Sequence, residues 1–373
     1  MKTKLLYLVV FLVVMNTTVC FGALVRPKSE TISSFQSLCN RHSDVASYES
    51  IGKSVQNNDI WLFKFGNPDG GVVMWDAQLH GGEGLGTEIF WIFCQWLLES
   101  NTEKANNYLK TNYLLVIPVV NIDTSARQNM RRHYTATETQ GTIYEGNALD
   151  ISFGVNLNRN FPTNFGQSGT SNASDMNDYR GIKGASEPEA RALIACWQKY
   201  KPKIYVNTHQ WAGPSVIYSA TYSNITFINE INSKQQEYFD TEHPIFNGNP
   251  IQPFPLRTGL AGGYSAYEEQ RIITGTQALL IEIDPEAGYS WENRGGSWRM
   301  PTLTNIQQFY YTQLRPLILS TLDVTAIEYV PPTTDDDGDW FQFIVEHEIE
   351  ISAISFSTVL LLTIVAMKVK RKK

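Results

Sequence analysis

His80 and Glu83 stand three residues apart in "AQLHGGEGLGTE", the stretch from Ala77 to Glu88, with two glycines between them. An imidazole nitrogen and a carboxylate oxygen are both zinc donors. A strand that delivers the histidine, followed by a glycine turn, brings the two groups to one point. A catalytic zinc needs three protein ligands and one open position, so a third donor must come from elsewhere. The chain holds 6 histidines. His42 lies in a polar N-terminal stretch, His133 in a basic loop, His243 before a proline and His347 near the C-terminal apolar segment. His209 closes the apolar run "KIYVNTH" and is the best third ligand by position.

The elements that position these residues can be read from apolar patterning. "GVVMWDAQL" (71–79), "YLLVIPVVNI" (113–122), "KIYVNT" (203–208) and "TQALLIEI" (276–283) read as buried strands. "TEIFWIFCQWLLES" (87–100), "SEPEARALIACWQKY" (186–200) and "PTLTNIQQFYYTQLRPLILSTL" (301–322) read as helices, the second opening with Ser186 and Glu189 at capping-box spacing. Continuous apolar strands between helices predict one α/β domain over 23–326, with a mixed, mostly parallel sheet covered by helices on both faces. In such sheets ligands bind beyond the carboxyl ends of the strands. His80, Asn121, His209 and Asp284 all fall at or just past those ends.

Five motifs occur in order: "HGGE" at 80–83, "GVNLNRNFP" at 154–162, "YRGIKGASEPEA" at 179–190, "NTHQ" at 207–210 and "LLIEID" at 279–284. Together they resemble the carboxypeptidase A-like zinc metallocarboxypeptidases, and they extend over most of residues 50–320. The resemblance implies one zinc ion on His80, Glu83 and His209, and hydrolysis of the C-terminal bond of peptides or proteins by a zinc-activated water. It implies that Glu282 is the general base, a carboxylate that takes a proton from water and passes it to the leaving amine. It implies that Asn158 and Arg159 grip the substrate's terminal carboxylate, for which the planar fork of arginine is suited. An arginine that polarises the scissile carbonyl is also implied. "SARQNMRRHY" offers Arg127, Arg131 and Arg132; Met130-Arg131-Arg132 matches the family's run best, with Arg127 as the alternative. The chain departs from the digestive members in two places. Gly82 stands where an arginine often precedes the glutamate ligand, and no tyrosine lies just ahead of Gly262-Gly263, although Tyr264 and Tyr267 follow.

The two ends predict export and anchoring. Residues 1–22 combine lysines, an apolar run and small residues in the layout of a signal peptide. A Pro/Thr/Asp-rich linker at 327–341 leads to a transmembrane anchor within 342–367 and a basic cytoplasmic tail at 368–373. A single-pass cell-surface protein follows, with the lipid bilayer as a partner through its anchor and the catalytic domain outside. The net charge of −7 and the lack of a basic stripe in the body exclude nucleic acid as a partner. Cys39, Cys94 and Cys196 remain after the leader, an odd number that speaks against a disulfide framework. Two other readings use the same residues. One is a zinc amidohydrolase, a deacylase of N-acyl amino acids on the same fold; the other is an inactive surface binding module.

Overall fold

The computed structural model describes residues 26–124, 154–163, 165–166, 170–173, 178–210, 216–219, 225–242, 245–246, 249–250, 253, 255–258, 277–283 and 314–324. The leader, the linker, the apolar C-terminal span and the basic tail lie outside the described residues. Among the described residues no helix is long and apolar enough to cross a membrane.

The central feature is an eight-stranded sheet in the order β1-β2-β4-β3-β5-β10-β6-β9. Its strands are β1 (Ala46–Lys53), β2 (Asp59–Gly66), β3 (Gly71–Ala77), β4 (Asn112–Ile117), β5 (Ile204–Gln210), β6 (Val216–Ser219), β9 (Leu256–Thr258) and β10 (Gln277–Ile283). A small antiparallel pair, β7 (Ile245–Phe246) with β8 (Asn249–Pro250), stands apart. β4, β3, β5 and β10 are mutually parallel. β2 runs against both of its neighbours, and β6 runs against β10. The sheet is therefore mixed, with a parallel centre.

Side chains alternate between the two faces of a strand, and here both faces are apolar. Val73, Trp75, Val206, Leu279 and Ile281 belong to one core, together with residues of α1 (Lys28–Arg41), α2 (Leu85–Glu99), α3 (Glu103–Thr111), α5 (Ile225–Glu242) and α6 (Arg315–Asp323). Met74, Leu115, Tyr205 and Leu280 belong to the other, under α4 (Pro188–Tyr200). This two-sided cover matches the expected architecture. The expected strands and helices are present with their ends shifted in both directions: the helix expected at 87–100 spans Leu85–Glu99, the strand expected at 203–208 spans Ile204–Gln210 and that at 113–122 spans Asn112–Ile117; of the stretch 301–322, residues 301–313 lie outside the described residues.

One local expectation is corrected. Ser186 and Glu189 do not form a capping box: the N-cap of α4 is Glu187, Pro188 opens the helix, and no side chain caps it. Ser186 Oγ instead donates to Glu187 Oε1 at 2.7 Å, and Glu189 Oε1 accepts from the amide of Val55 at 3.0 Å. Ser186 Oγ also accepts from Asn160 Nδ2 at 2.8 Å, so both side chains serve other segments instead of the free amides of their own helix.

Candidate metal centre

The site is built where β3, β5 and β10 end side by side. β3 stops at Ala77, and Gln78 then adopts a left-handed backbone with φ of 54°. This costs a non-glycine residue energy unless its surroundings hold it. Here the side chain of Gln78 donates to the carbonyl of Gly81 at 3.1 Å, bracing the turn. The amide of Glu83 donates to the carbonyl of His80 at 3.0 Å and closes it. Gly81 has no room for a side chain: a Cβ there would overlap Thr124 Oγ1 and sit 2.6 Å from Thr124 Cβ. Gly81 is thus a means by which both side chains of the turn face one point.

That point also receives His209. His80, Glu83 and His209 are all buried and offer ligand atoms within 4.8 Å of one another. His80 Nδ1 lies 2.9 Å from Glu83 Oε1, His209 Nδ1 lies 2.9 Å from Glu83 Oε2, and the two Nδ1 atoms are 3.2 Å apart. Zinc bonds of about 2.0–2.1 Å in a tetrahedron imply ligand separations of roughly 3.4 Å, so the triangle has about the right size. His42, in contrast, stands after α1 beside Glu99, away from this cluster.

The outer nitrogens settle the ring orientations. His80 Nε2 faces Asn156 Oδ1 at 3.1 Å, and His209 Nε2 faces Asn207 Oδ1 at 2.7 Å. Amide oxygens only accept, so each Nε2 carries the proton and each Nδ1 turns a lone pair inward. Two inward lone pairs and a carboxylate at this spacing repel one another unless a cation lies among them. The donor set therefore fits zinc. Burial alone would raise the Glu83 carboxyl; with no cation bound, protonated imidazoles on either side would outweigh it by charge and by hydrogen bonds from Nδ1 and hold the group at about 2, and a zinc ion takes the place of those two protons. The amide of Gln210 adds a further donor to Glu83 Oε2 at 3.1 Å.

Glu282 is the registered partner of His209 across the parallel β5–β10 pair. Registered neighbours present their side chains to the same face of a sheet, so this carboxylate shares the face of the cluster. Asn158 and Arg159 occupy a single 3-10 turn, Leu157–Arg159, capped by Asn156 through the amide of Asn158 at 3.0 Å. Arg159 is largely buried, with its guanidinium 3.8 Å from Asp178 Oδ1. Asn156 thus joins the arginine turn to His80. Asn160 anchors that turn, donating to the carbonyls of Arg180 and Lys183 and accepting from the amide of Glu187. Arg127, Arg131, Arg132, Tyr264, Tyr267 and Asp284 lie outside the described residues.

The comparisons identify the architecture. The family model described as "Zinc carboxypeptidase" matches residues 31–243. The chain belongs to the zinc carboxypeptidase family. Among relatives, mast cell carboxypeptidase A of Mus musculus is 26% identical over 195 residues, covering 48% of this chain and 44% of that protein. Carboxypeptidase B of Bos taurus is 26% identical over 198 residues, covering 49% and 44%. The chain thus spans less than half the length of these relatives. The solved carboxypeptidase A of Helicoverpa armigera superposes with a TM-score of 0.62 at 16% identity, over 81% of this chain and 74% of that one. Zinc is the metal of this family, and the His80–Glu83–His209 triangle is the part of this member that can hold it.

Three site features were not expected from sequence. Asn156 and Asn207 back the two histidines, and Asp76 backs Asn207 with Nδ2 to Oδ1 at 2.6 Å. Asp76 is fully buried; burial pushes its carboxyl up to about 6 against hydrogen bonds from Tyr205 and Asn207 and the charge of His209. The signal was present in the sequence as one acid inside "GVVMWDAQL" and one asparagine inside "KIYVNT". Buried polar groups in such runs need partners.

Proposed function

We propose that this protein is a zinc carboxypeptidase that removes the C-terminal residue of peptides or proteins. The observation that carries the reading is the buried His80–Glu83–His209 triangle with Glu282 in register beside it. In this reading the three side chains hold one zinc ion, which when bound polarises a carbonyl and acidifies water. Glu282 accepts the proton of the attacking water and returns it to the departing amine. Arg159 and Asn158 bind the terminal carboxylate, which makes the enzyme an exopeptidase. Arg131, or Arg127 in its place, stabilises the developing oxyanion. The exported leader, the apolar span within 342–367 and the basic tail support a catalytic domain outside the cell on a single anchor.

The test is cleavage of a peptide with a free C-terminal acid, the same peptide amidated, and a short N-acyl amino acid. The free acid is expected to be cleaved far faster than the amide. Losing one partner of a shielded, charge-assisted pair costs about 2 to 5 kcal/mol, or about 30- to 5,000-fold in rate. Equal rates on acid and amide overturn the exopeptidase reading. Action confined to the N-acyl amino acid assigns the protein as a deacylase, and zinc binding without turnover assigns it as a binding module.

A further inference from the structure

We propose that Asp76 is a positioning residue for the metal centre, acting through Asn207 to fix which nitrogen of His209 faces the metal. The inference rests on the zinc reading of the site and goes beyond it to residues that touch neither metal nor substrate. Asp76 on β3 and Asn207 on β5 are registered partners across the parallel pair. Tyr205, Asn207 and His209 alternate along β5, so all three project to the face on which Asp76 also lies. Asp76 Oδ1 accepts from Asn207 Nδ2 at 2.6 Å, Asp76 Oδ2 accepts from the hydroxyl of Tyr205 at 2.5 Å, and Asn207 Oδ1 accepts from His209 Nε2 at 2.7 Å. All four residues are buried, Asp76, Asn207 and Tyr205 at 0% exposure and His209 at 2%.

The chain of bonds has one direction. An ionised carboxylate only accepts. It therefore draws the NH2 of Asn207 towards itself, which turns the amide oxygen towards His209. That oxygen in turn requires the proton on Nε2 and leaves Nδ1 bare towards His80 and Glu83. Without Asp76, Asn207 can turn over and present its NH2 to His209, which reverses the ring's tautomer and points the wrong nitrogen state at the metal.

The histidine on the other side shows what a looser version looks like. His80 is also backed by an asparagine and then an aspartate, but Asn156 Nδ2 lies 3.5 Å from Asp178 Oδ1, and Asp178 is 39% exposed at its side chain. Asp178 is moreover shared with Arg159. His209 is thus oriented through a buried carboxylate, whereas Asn156 is oriented for His80 by the backbone amide of Asn158 at 3.0 Å, with the exposed Asp178 as a longer second contact.

The experiment measures zinc affinity by chelator competition, together with nitrogen-15 NMR of the histidine rings in the zinc-loaded protein at a pH above 7. Asn207→Leu and Asp76→Leu are expected to weaken zinc about 10- to 100-fold, the range typical of lost outer-shell partners, and to lose the Nε2–H signal of His209. Asp76→Asn, whose amide oxygen can still accept from Asn207, is expected to stay within a few-fold of the wild type. Tyr205→Phe is expected to lower the melting temperature without moving affinity or tautomer, which separates positioning from mere structural support. Folded leucine variants with wild-type affinity and tautomer overturn the proposal. If they do not fold, the wild-type spectrum decides: a scalar coupling across the hydrogen bond from His209 Nε2–H to the side-chain carbonyl of Asn207 upholds the proposal, and its absence, or ligation through Nε2, overturns it. A wild-type protein that takes up no zinc refutes the metal reading itself, a result distinct from either.

Discussion

Replacing Gly81 with alanine tests the turn that brings His80 and Glu83 together. The new methyl would overlap Thr124 Oγ1 and lie 2.6 Å from Thr124 Cβ. Non-bonded heavy atoms rest at about 3.5 Å, so the turn and the Thr124 segment must separate by roughly 1 Å for the Thr124 Cβ contact and by roughly 2 Å for the hydroxyl contact at 1.5 Å. Thr124 cannot withdraw freely, because Lys28 Nζ donates to its hydroxyl at 2.9 Å and to the carbonyl of Asn121. Much of the displacement therefore falls on the turn, whose ligand atoms stand only 2.9 Å apart. Overpacking of this kind costs about 1–3 kcal/mol. If the cost is borne by the metal-holding geometry, zinc affinity falls by roughly 5- to 150-fold. Chelator competition on the wild type, Gly81→Ala, Thr124→Gly and the double variant forms a cycle. The double variant should recover most of the loss relative to Thr124→Gly alone. Unchanged zinc affinity and melting temperature in Gly81→Ala would refute the steric reasoning.

Three further predictions concern other parts of the molecule. Glu282→Gln should keep zinc, since Glu282 is not in the ligand triangle, yet lose about 10²- to 10⁴-fold in turnover; steady-state kinetics with metal analysis checks this, and near-normal turnover removes Glu282 as the base. Lys28 is pulled down to about 7 by burial, partly offset by Asp123. The unfolded chain therefore binds a proton between about pH 7 and 10.5 that the folded chain has released, and stability rises with pH over that window by at most about 1.4 kcal/mol per unit. Melting curves should show the wild type gaining on Lys28→Met from pH 7 to 10, and parallel profiles would contradict the assignment. Protease applied to intact cells should release an active fragment cut within residues 327–341, whereas activity found only after lysis would contradict the outward topology.

The parts legible in the sequence were those in which packing and chemistry demand distinctive residues. The strands around Val73, Leu115, Val206 and Leu280 are buried on both faces, so their apolar runs stand out. His80, Glu83 and His209 were legible because a histidine at the end of an apolar run has few reasons to be there. β1 was not read, because its exposed and half-buried residues dilute any alternation. α5 was not read either: its many polar residues hide the few positions, such as Phe227 and Ile231, that it buries. The capping-box reading of Ser186 and Glu189 failed because Asn160 Nδ2 donates to Ser186 and the amide of Val55 donates to Glu189, distant partners that spacing cannot reveal. Asp76 and Asn207 went unread for a related reason. Each sits inside a strand whose apolar neighbours define the pattern, and only the register between β3 and β5 shows that they meet.

The position of β10 has a consequence for the order in which a newly made chain acquires its parts. β10 follows every other strand of the sheet in sequence, yet it lies between β5 and β6. Until residues 277–283 leave the ribosome, β5 keeps an unpaired edge, and β6 can pair only with β9. A two-stranded ribbon is marginal by itself, and an open central edge invites mispairing. His80, Glu83 and His209 all precede that moment, so the nascent chain can complete its metal-holding groups while it still lacks Glu282. The strand that closes the sheet is the one that carries this carboxylate. If Glu282 is the proposed base, a chain made in this order would gain it only when the last strand of the described sheet is seated.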